Sequence, residues 1–280
     1  MRKRRFVVLP VASAVIVAGG LVVAAPAQAT GPLPVPTILL GDAPAPTSAE
    51  AAADVDVPSP DVLLAKNLEV AGISAQVASL LVAGSGAPAP DESQVPSADS
   101  EGGGGSVPSA LRLTVHGAYQ TTTYRCVPAS TQTVLQTMGV TVTQDTLASE
   151  EHTTTNGTYM GNAPKPLNRR ETRNPYVFGT DTTDASDLLS RSIADIYNHK
   201  SAPMIGIQAG LASWRKSQNI EGLHTIAVYG YYTSSDGGLY VWDPYNDTYF
   251  GGSVNYGGGH APTLPSIWAA NDADNAKIVW

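Results

Sequence analysis

Four residues of this chain could together break an amide bond. Cys126, His224, Asp243 and Gln120 bring a thiol, an imidazole, a carboxylate and a neutral side-chain donor. Thiol hydrolysis needs those types: a thiolate to attack, an imidazole to move the proton, a carboxylate to fix its tautomer, and donors for the oxyanion. Cys126 is the only cysteine among 280 residues, so an internal disulfide is excluded. Each residue also has a plainer reading. Cys126 could be an inert buried thiol, His224 a core or turn histidine, and Asp243 a turn-capping Asp before Pro244. Their joint occurrence, in the order Gln, Cys, His, Asp, favours a site.

The local sequence says which elements must carry them. Pro128 suits the first turn of a helix and Gly139 the position after its last, which predicts about three turns beginning at Cys126. A helix start lowers the cost of a thiolate through its dipole and free N–H groups. A second helix is expected from Asp184 to about His199, with Leu189, Ile193 and Ile196 on one face. Met204–Gln208 reads as a short strand. Thr225–Tyr232 and Leu239–Trp242 read as two more, joined by a turn over Ser234–Gly238, and Ala276–Trp280 as a closing strand. His224 opens the first strand of that hairpin and Asp243 ends the second, so pairing would set them at one end. Helices early and strands late make an α+β domain.

Gln120-x5-Cys126-Val-Pro-Ala-Ser, Asn156-Gly-Thr-Tyr with Leu167-Asn168, His224-Thr-Ile-Ala-Val-Tyr-Gly-Tyr and Val241-Trp-Asp-Pro-Tyr245 together resemble the bacteriocin-processing cysteine peptidase-like family. The resemblance covers roughly residues 114–245. It implies a papain-like fold in which a helix carrying the cysteine packs on an antiparallel sheet carrying His and Asp. It implies Cys126 as nucleophile, His224 as base, Asp243 as the orienting carboxylate and Gln120 as the oxyanion donor. Two departures stand out. The family usually has Gly where this chain has Val127, and its best-known members are fused to transporters and cut double-glycine leaders in the cytoplasm.

Here an export signal is expected instead. Arg2, Lys3, Arg4 and Arg5 precede an apolar stretch from Phe6 to Ala25, and Ala27-Gln28-Ala29 is a small-x-small cleavage site, which makes 1–29 a signal peptide and the product secreted or cell-wall associated. Residues 30–106 hold 10 Pro, 10 acidic residues, one Lys and no aromatic, so they read as an acidic Pro/Ala/Gly-rich spacer or pro-region. Within it Val70, Ile73, Val77, Leu80 and Leu81 recur at helical steps, predicting a helix over 61–82, either transient or docking. Eighteen of the 19 aromatics lie in 107–280, which marks that stretch as the core-forming peptidase-like domain. The formal charge of −8 leaves no basic face for nucleic acid and disfavours anionic membranes.

No cofactor or metal is expected, because His116, His152, His199 and His260 have no ligand spacing and no cysteine companions. The turn-like Asn156-Gly-Thr and Asn246-Asp-Thr fit glycosylation acceptors as well as turns. The function expected is cleavage of a peptide or related amide by a Cys-His-Asp thiol mechanism, with a peptide or protein as the partner. Acyl transfer through the same thioester, and a non-catalytic binding module that keeps the fold, remain the alternatives.

Overall fold

The computed structural model describes residues 38–41 (backbone only), 58–98, 105–216 and 220–280. The signal-peptide reading of 1–29 lies outside them. The described chain opens with β1 (Ile38–Gly41), α1 (Pro60–Gly84), β2 (Ala110–Arg112) and α2 (Cys126–Thr137). Next come α3 (Gln144–Glu150), α4 (Pro164–Arg170), β3 (Phe178–Gly179) and α5 (Ala185–Ile193). The last part holds β4 (Met204–Gln208), β5 (Ile220–Tyr232), β6 (Gly238–Asp243), β7 (Gly258–His260), α6 (Leu264–Asp272) and β8 (Ile278–Val279).

One sheet joins the strands in the order β3-β8-β4-β5-β6-β7, and β1 and β2 also pair with β5. All pairings are antiparallel except that of β1 with β5. β5 is the spine. Its 13 residues begin five before the expected start, so His224 sits inside a strand rather than at its mouth. The turn into β6 needs left-handed backbone at Ser235 and Gly237, which fits the predicted hairpin.

α2 forms as expected. Pro128 falls in the first turn, where a missing N–H costs nothing, and Gly139 follows the helix with φ +79°. Cys126, Val127, Ala129, Val134 and Leu135 are fully buried, and the helix lies against β5. The Ser130 hydroxyl donates to the Thr225 carbonyl at 2.9 Å, pinning the helix to the strand. The expected helix from Asp184 divides into two. Asp184 caps α5 by accepting from the Asp187 N–H, and the chain then widens into a π-helical stretch, Ala194–His199. The architecture is the expected α+β one: a cysteine-bearing helix packed on an antiparallel sheet. α3, α4 and α6 have weak sequence signatures and were not anticipated.

The helix expected over 61–82 is present and docked. Ser59 caps α1, and Val70, Ile73 and Val77 are buried in the main core with Val95 and Ala98, so that core reaches back beyond residue 107. Each such aliphatic side chain contributes at most about 1.5–3 kcal/mol. The helix is also held by a buried cation. Lys66 Nζ donates to Asn174 Oδ1 at 2.5 Å and Asp195 Oδ1 at 3.1 Å, and lies 4.8 Å from the centre of the Trp280 ring. One turn on, Glu69 meets His199 at 2.7 Å. The helix is long and apolar enough to span a bilayer, yet the face carrying Lys66 and Val70 is packed against protein.

Lys66→Ala strips Asp195 of its buried partner while Val70, Ile73 and Val77 still dock. Loss of one member of a buried pair costs about 3–5 kcal/mol, so urea unfolding should show a drop of that size; a change under about 1 kcal/mol would mean the pair is not closed from water.

A second buried acid makes stability depend on pH. Glu151, just after α3, is fully buried, and that burial pushes its carboxyl from 4.5 up to about 8. The native protein keeps this proton to about pH 8, whereas the unfolded chain gives it up near 4.5. The unfolded state therefore binds fewer protons between those values, and stability falls as pH rises across that window. Glu151→Gln should narrow the fall in Tm between pH 5 and pH 8, measured by calorimetry; an unchanged difference would show that Glu151 is ionised in the native state.

Candidate active site

The site is built by a slip in strand register. At the turn end of the β5–β6 pair, Tyr232 opposes Gly238, Tyr231 opposes Leu239 and Gly230 opposes Tyr240. Between Val228 and Gly230 the register shifts by one, so that Val228 opposes Val241 and Ala227 opposes Trp242. Carried one pair further, Asp243 stands across from Ile226, on the face that His224 shares. Without the bulge Asp243 would stand across from Ala227 and point through the other face of the sheet. The extra residue brings acid and base together.

They meet at hydrogen-bond distance. His224 Nε2 lies 2.8 Å from Asp243 Oδ1, with both side chains fully buried. The same oxygen accepts the Tyr245 backbone N–H at 2.9 Å. The other carboxylate oxygen accepts Arg215 Nε at 2.6 Å and Trp214 Nε1 at 2.9 Å. Burial alone would raise the Asp243 carboxyl, but the charges of Arg215 and His224 outweigh it and hold the group well below the usual carboxylate range. These contacts favour the Asp243 anion. Its bond requires a proton on Nε2 and leaves His224 Nδ1 buried without a hydrogen-bond partner.

Cys126 approaches from α2. Ser130, one turn after it on the same helix face, is bonded to Thr225, the residue next to His224 in β5. Packing thus brings the start of α2 toward the His224 end of the sheet. The thiol is closed from solvent, and Val127 beside it is also fully buried.

Gln120 arrives on a loop that is fastened at several points. Its N–H donates to the Pro244 carbonyl at 2.8 Å, which ties it to the residue after Asp243. Neighbouring backbone groups are held by Thr133 (to the Ala118 N–H, 3.0 Å), Trp242 Nε1 (to the Ala118 carbonyl, 3.1 Å) and Gln144 (to the Tyr119 carbonyl, 2.7 Å, and the Thr121 N–H, 3.1 Å). A side chain at Gly117 would begin 1.9 Å from the Trp242 ring, so only glycine lets the loop pass there. The Gln120 side chain is buried; its Nε2 donates to the Thr122 carbonyl at 2.7 Å, and Oε1 has no partner. An amide nitrogen carries two hydrogens, so one donor stays uncommitted.

The structure thus joins His224 directly to Asp243, links Gln120 to the same corner through Pro244, and sets Cys126 at the end of the helix packed there. The family model described as "Peptidase_C39 like family" matches residues 112–263, a span that contains all four residues. The chain belongs to the Peptidase_C39-like family.

Among solved structures it is similar to the peptidase domain of Streptococcus ComA, a bifunctional ABC transporter of a quorum sensing pathway, at 14% identity over 60% of this chain and 96% of that one, with a TM-score of 0.37. A C39-like peptidase from Bacillus anthracis, described as putative, shares 14% identity over 60% of this chain and 95% of its own, with a TM-score of 0.40. Recombinant stem bromelain precursor shares 9% identity over 62% and 70%, with a TM-score of 0.40. No curated protein sequence matches the chain.

Sequence reasoning missed Trp214 and Arg215. They lie in an irregular segment, and neither periodicity nor motif marks Arg215 as buried. Of the other histidines, His260 borders the corner through Trp214, which bonds Asp243. His260 stacks on Trp214 with ring centres 4.7 Å apart, and His199 belongs to the α1 contact. No group of three or more metal-ligating side chains occurs among the described residues.

Proposed function

We propose that the protein is an exported cysteine peptidase in which Cys126 attacks a peptide or related amide carbonyl. The observation that carries this reading is the 2.8 Å bond from His224 Nε2 to Asp243 Oδ1, which leaves His224 Nδ1 as the free nitrogen at the thiol end of the sheet. Nδ1 takes the thiol proton, and the imidazolium formed is stabilised by the Asp243 carboxylate. The tetrahedral oxyanion is met by the Cys126 backbone N–H at the start of α2 and by the spare N–H of Gln120. Collapse expels the amine with the proton from His224. Water then enters, gives a proton to the imidazole and attacks the thioester, which returns the thiol and releases the acid. An amine in place of water gives acyl transfer by the same steps. The export reading rests on the cationic, apolar and small-x-small pattern of residues 1–29.

One observation favours the non-catalytic reading. Cys126, His224, Asp243 and Gln120 are all fully buried, so the site must open before a substrate can reach the thiol. Reactivity separates the two. A catalytic thiol is alkylated by iodoacetamide near neutral pH much faster than a free thiol, and a sealed core cysteine is alkylated only on unfolding.

Cys126→Ala and His224→Ala should each abolish hydrolysis of any peptide the wild type cleaves, with the double variant little worse than either. Full activity in Cys126→Ala would end the thiol reading. Gln120→Ala should lower kcat at least tenfold with little change in KM, because the oxyanion bond forms mainly in the transition state. Steady-state kinetics with unchanged kcat would remove Gln120 from the site.

A further inference from the structure

Arg215 is fully buried, and its guanidinium divides its donors between two carboxylates. Nε donates to Asp243 at 2.6 Å, Nη1 lies 3.2 and 3.3 Å from the two oxygens of Asp247, and Nη2 donates to the Tyr245 carbonyl at 2.9 Å. Asp247 is buried too, and it also accepts the Tyr256 N–H at 2.8 Å. The buried cluster of Arg215, Asp243 and Asp247 therefore carries a net charge of −1. That single charge faces the imidazole of His224. We propose that Arg215 is a positioning residue for the thiol–imidazole pair: it aims Asp243 at His224 and sets how strongly the corner favours imidazolium over imidazole. The proposal rests on the reading of Cys126 and His224 as the reacting pair.

The geometry gives Arg215 both roles. By engaging Oδ2, Arg215 and Trp214 leave Oδ1 to His224 and to the Tyr245 N–H, so the carboxylate cannot rotate away without breaking two further bonds. By balancing one of two acids, Arg215 halves the negative charge next to the ring. The other groups around His224 do not substitute for it. On its own sheet the ring meets Asp243, and the Tyr245 ring lies edge-on at 6.5 Å. Asp274, in the turn after α6, also feels His224 but is paired with Lys277 at 2.8 Å. His260 on β7 stacks on Trp214, and burial biases it toward the neutral form. Cys126 lies on the α2 side.

The sign follows. Without the guanidinium, Asp243 at the ring and Asp247 behind it are both left unbalanced. The imidazolium then survives to higher pH, and the thiolate forms only at higher pH. Both limbs of the pH–reactivity profile of the thiol move to the alkaline side. One charge buried roughly 6 Å away shifts such a profile on the order of one pH unit. Removing Asp247 instead takes away one negative charge and moves both limbs to the acid side.

The test uses the full chain and the single cysteine. The second-order rate of Cys126 alkylation by iodoacetamide is measured from pH 4 to pH 10 for wild type, Arg215→Gln, Asp247→Asn, the double variant Arg215→Gln/Asp247→Asn, and Arg215→Lys, each checked for folding by its Tm. The proposal expects Arg215→Gln shifted up by about one unit, Asp247→Asn shifted down, the double variant returned toward wild type, and Arg215→Lys close to wild type in its limbs. Variants that lose reactivity at every pH with their limbs in place would overturn it, leaving Arg215 a structural residue only. If Arg215→Gln does not fold, Asp247→Asn against the double variant carries the same test, and coincident limbs for those two overturn the proposal. A wild type whose thiol reacts like a free or sealed cysteine, with no reactivity step below the ordinary thiol range, would instead strike down the peptidase reading beneath it.

Discussion

A carboxylate taken wholly out of water must be paired from every side, and Asp243 is where this domain meets that demand. Left unpaired, such a charge would cost several kcal/mol. Four donors meet it, from His224, Tyr245, Trp214 and Arg215. To supply them, the strand β5, the segment after β4 and the chain after β6 must all converge on one corner. The Arg215 that satisfies Asp243 is itself buried and needs a second acid, which fixes Asp247 and the turn it opens. Beside this chain of charges, Ala209, Ile220 and Tyr245 form a small apolar cluster with Phe250 packed against it.

The same corner shows how a common fold is made specific. A cysteine at a helix start and a histidine in a strand bring the thiol and the base near each other wherever the helix packs on the sheet. What makes a pair of them here is the backbone detail around them. A one-residue bulge turns Asp243 onto the histidine face, and a glycine lets the Gln120 loop slip past Trp242. The loop itself is fixed by side chains from α2, α3 and β6 that each satisfy a backbone group on it. Under the proposed mechanism this fastening would let Gln120 meet developing charge without having to move.

The acidic, aromatic-free stretch before the domain is less separate than its composition implies. α1 contributes Val70, Ile73 and Val77 to the main core, and its Lys66 is the buried partner of Asp195. Its opposite side still exposes Leu64, Leu68 and Val82. Val62, Leu80 and Leu81 also pack against that core, and Glu69 meets His199, so the helix is fastened along its length.

The sequence by itself determined the local elements and the chemistry they could carry. Pro128 and Gly139 bracket the cysteine helix because proline and glycine act through local backbone sterics. The β-branched and aromatic runs on either side of Ser234–Gly238 make a hairpin for a similarly local reason. The residue types Gln, Cys, His and Asp in that order carried the resemblance to the family, since reaction chemistry restricts which side chains will serve. Tertiary structure decided the rest. No local preference reveals a bulge between Val228 and Gly230, yet it chooses the face on which Asp243 lies. Nothing near Arg215 tells that it will be buried between Asp243 and Asp247, 28 and 32 residues away. The helical stripe of α1 could be read, but not its docking, because Lys66 needs Asp195 across 129 residues of chain. Periodicity reports what a segment can form; where a buried charge finds its partner depends on how the segments meet.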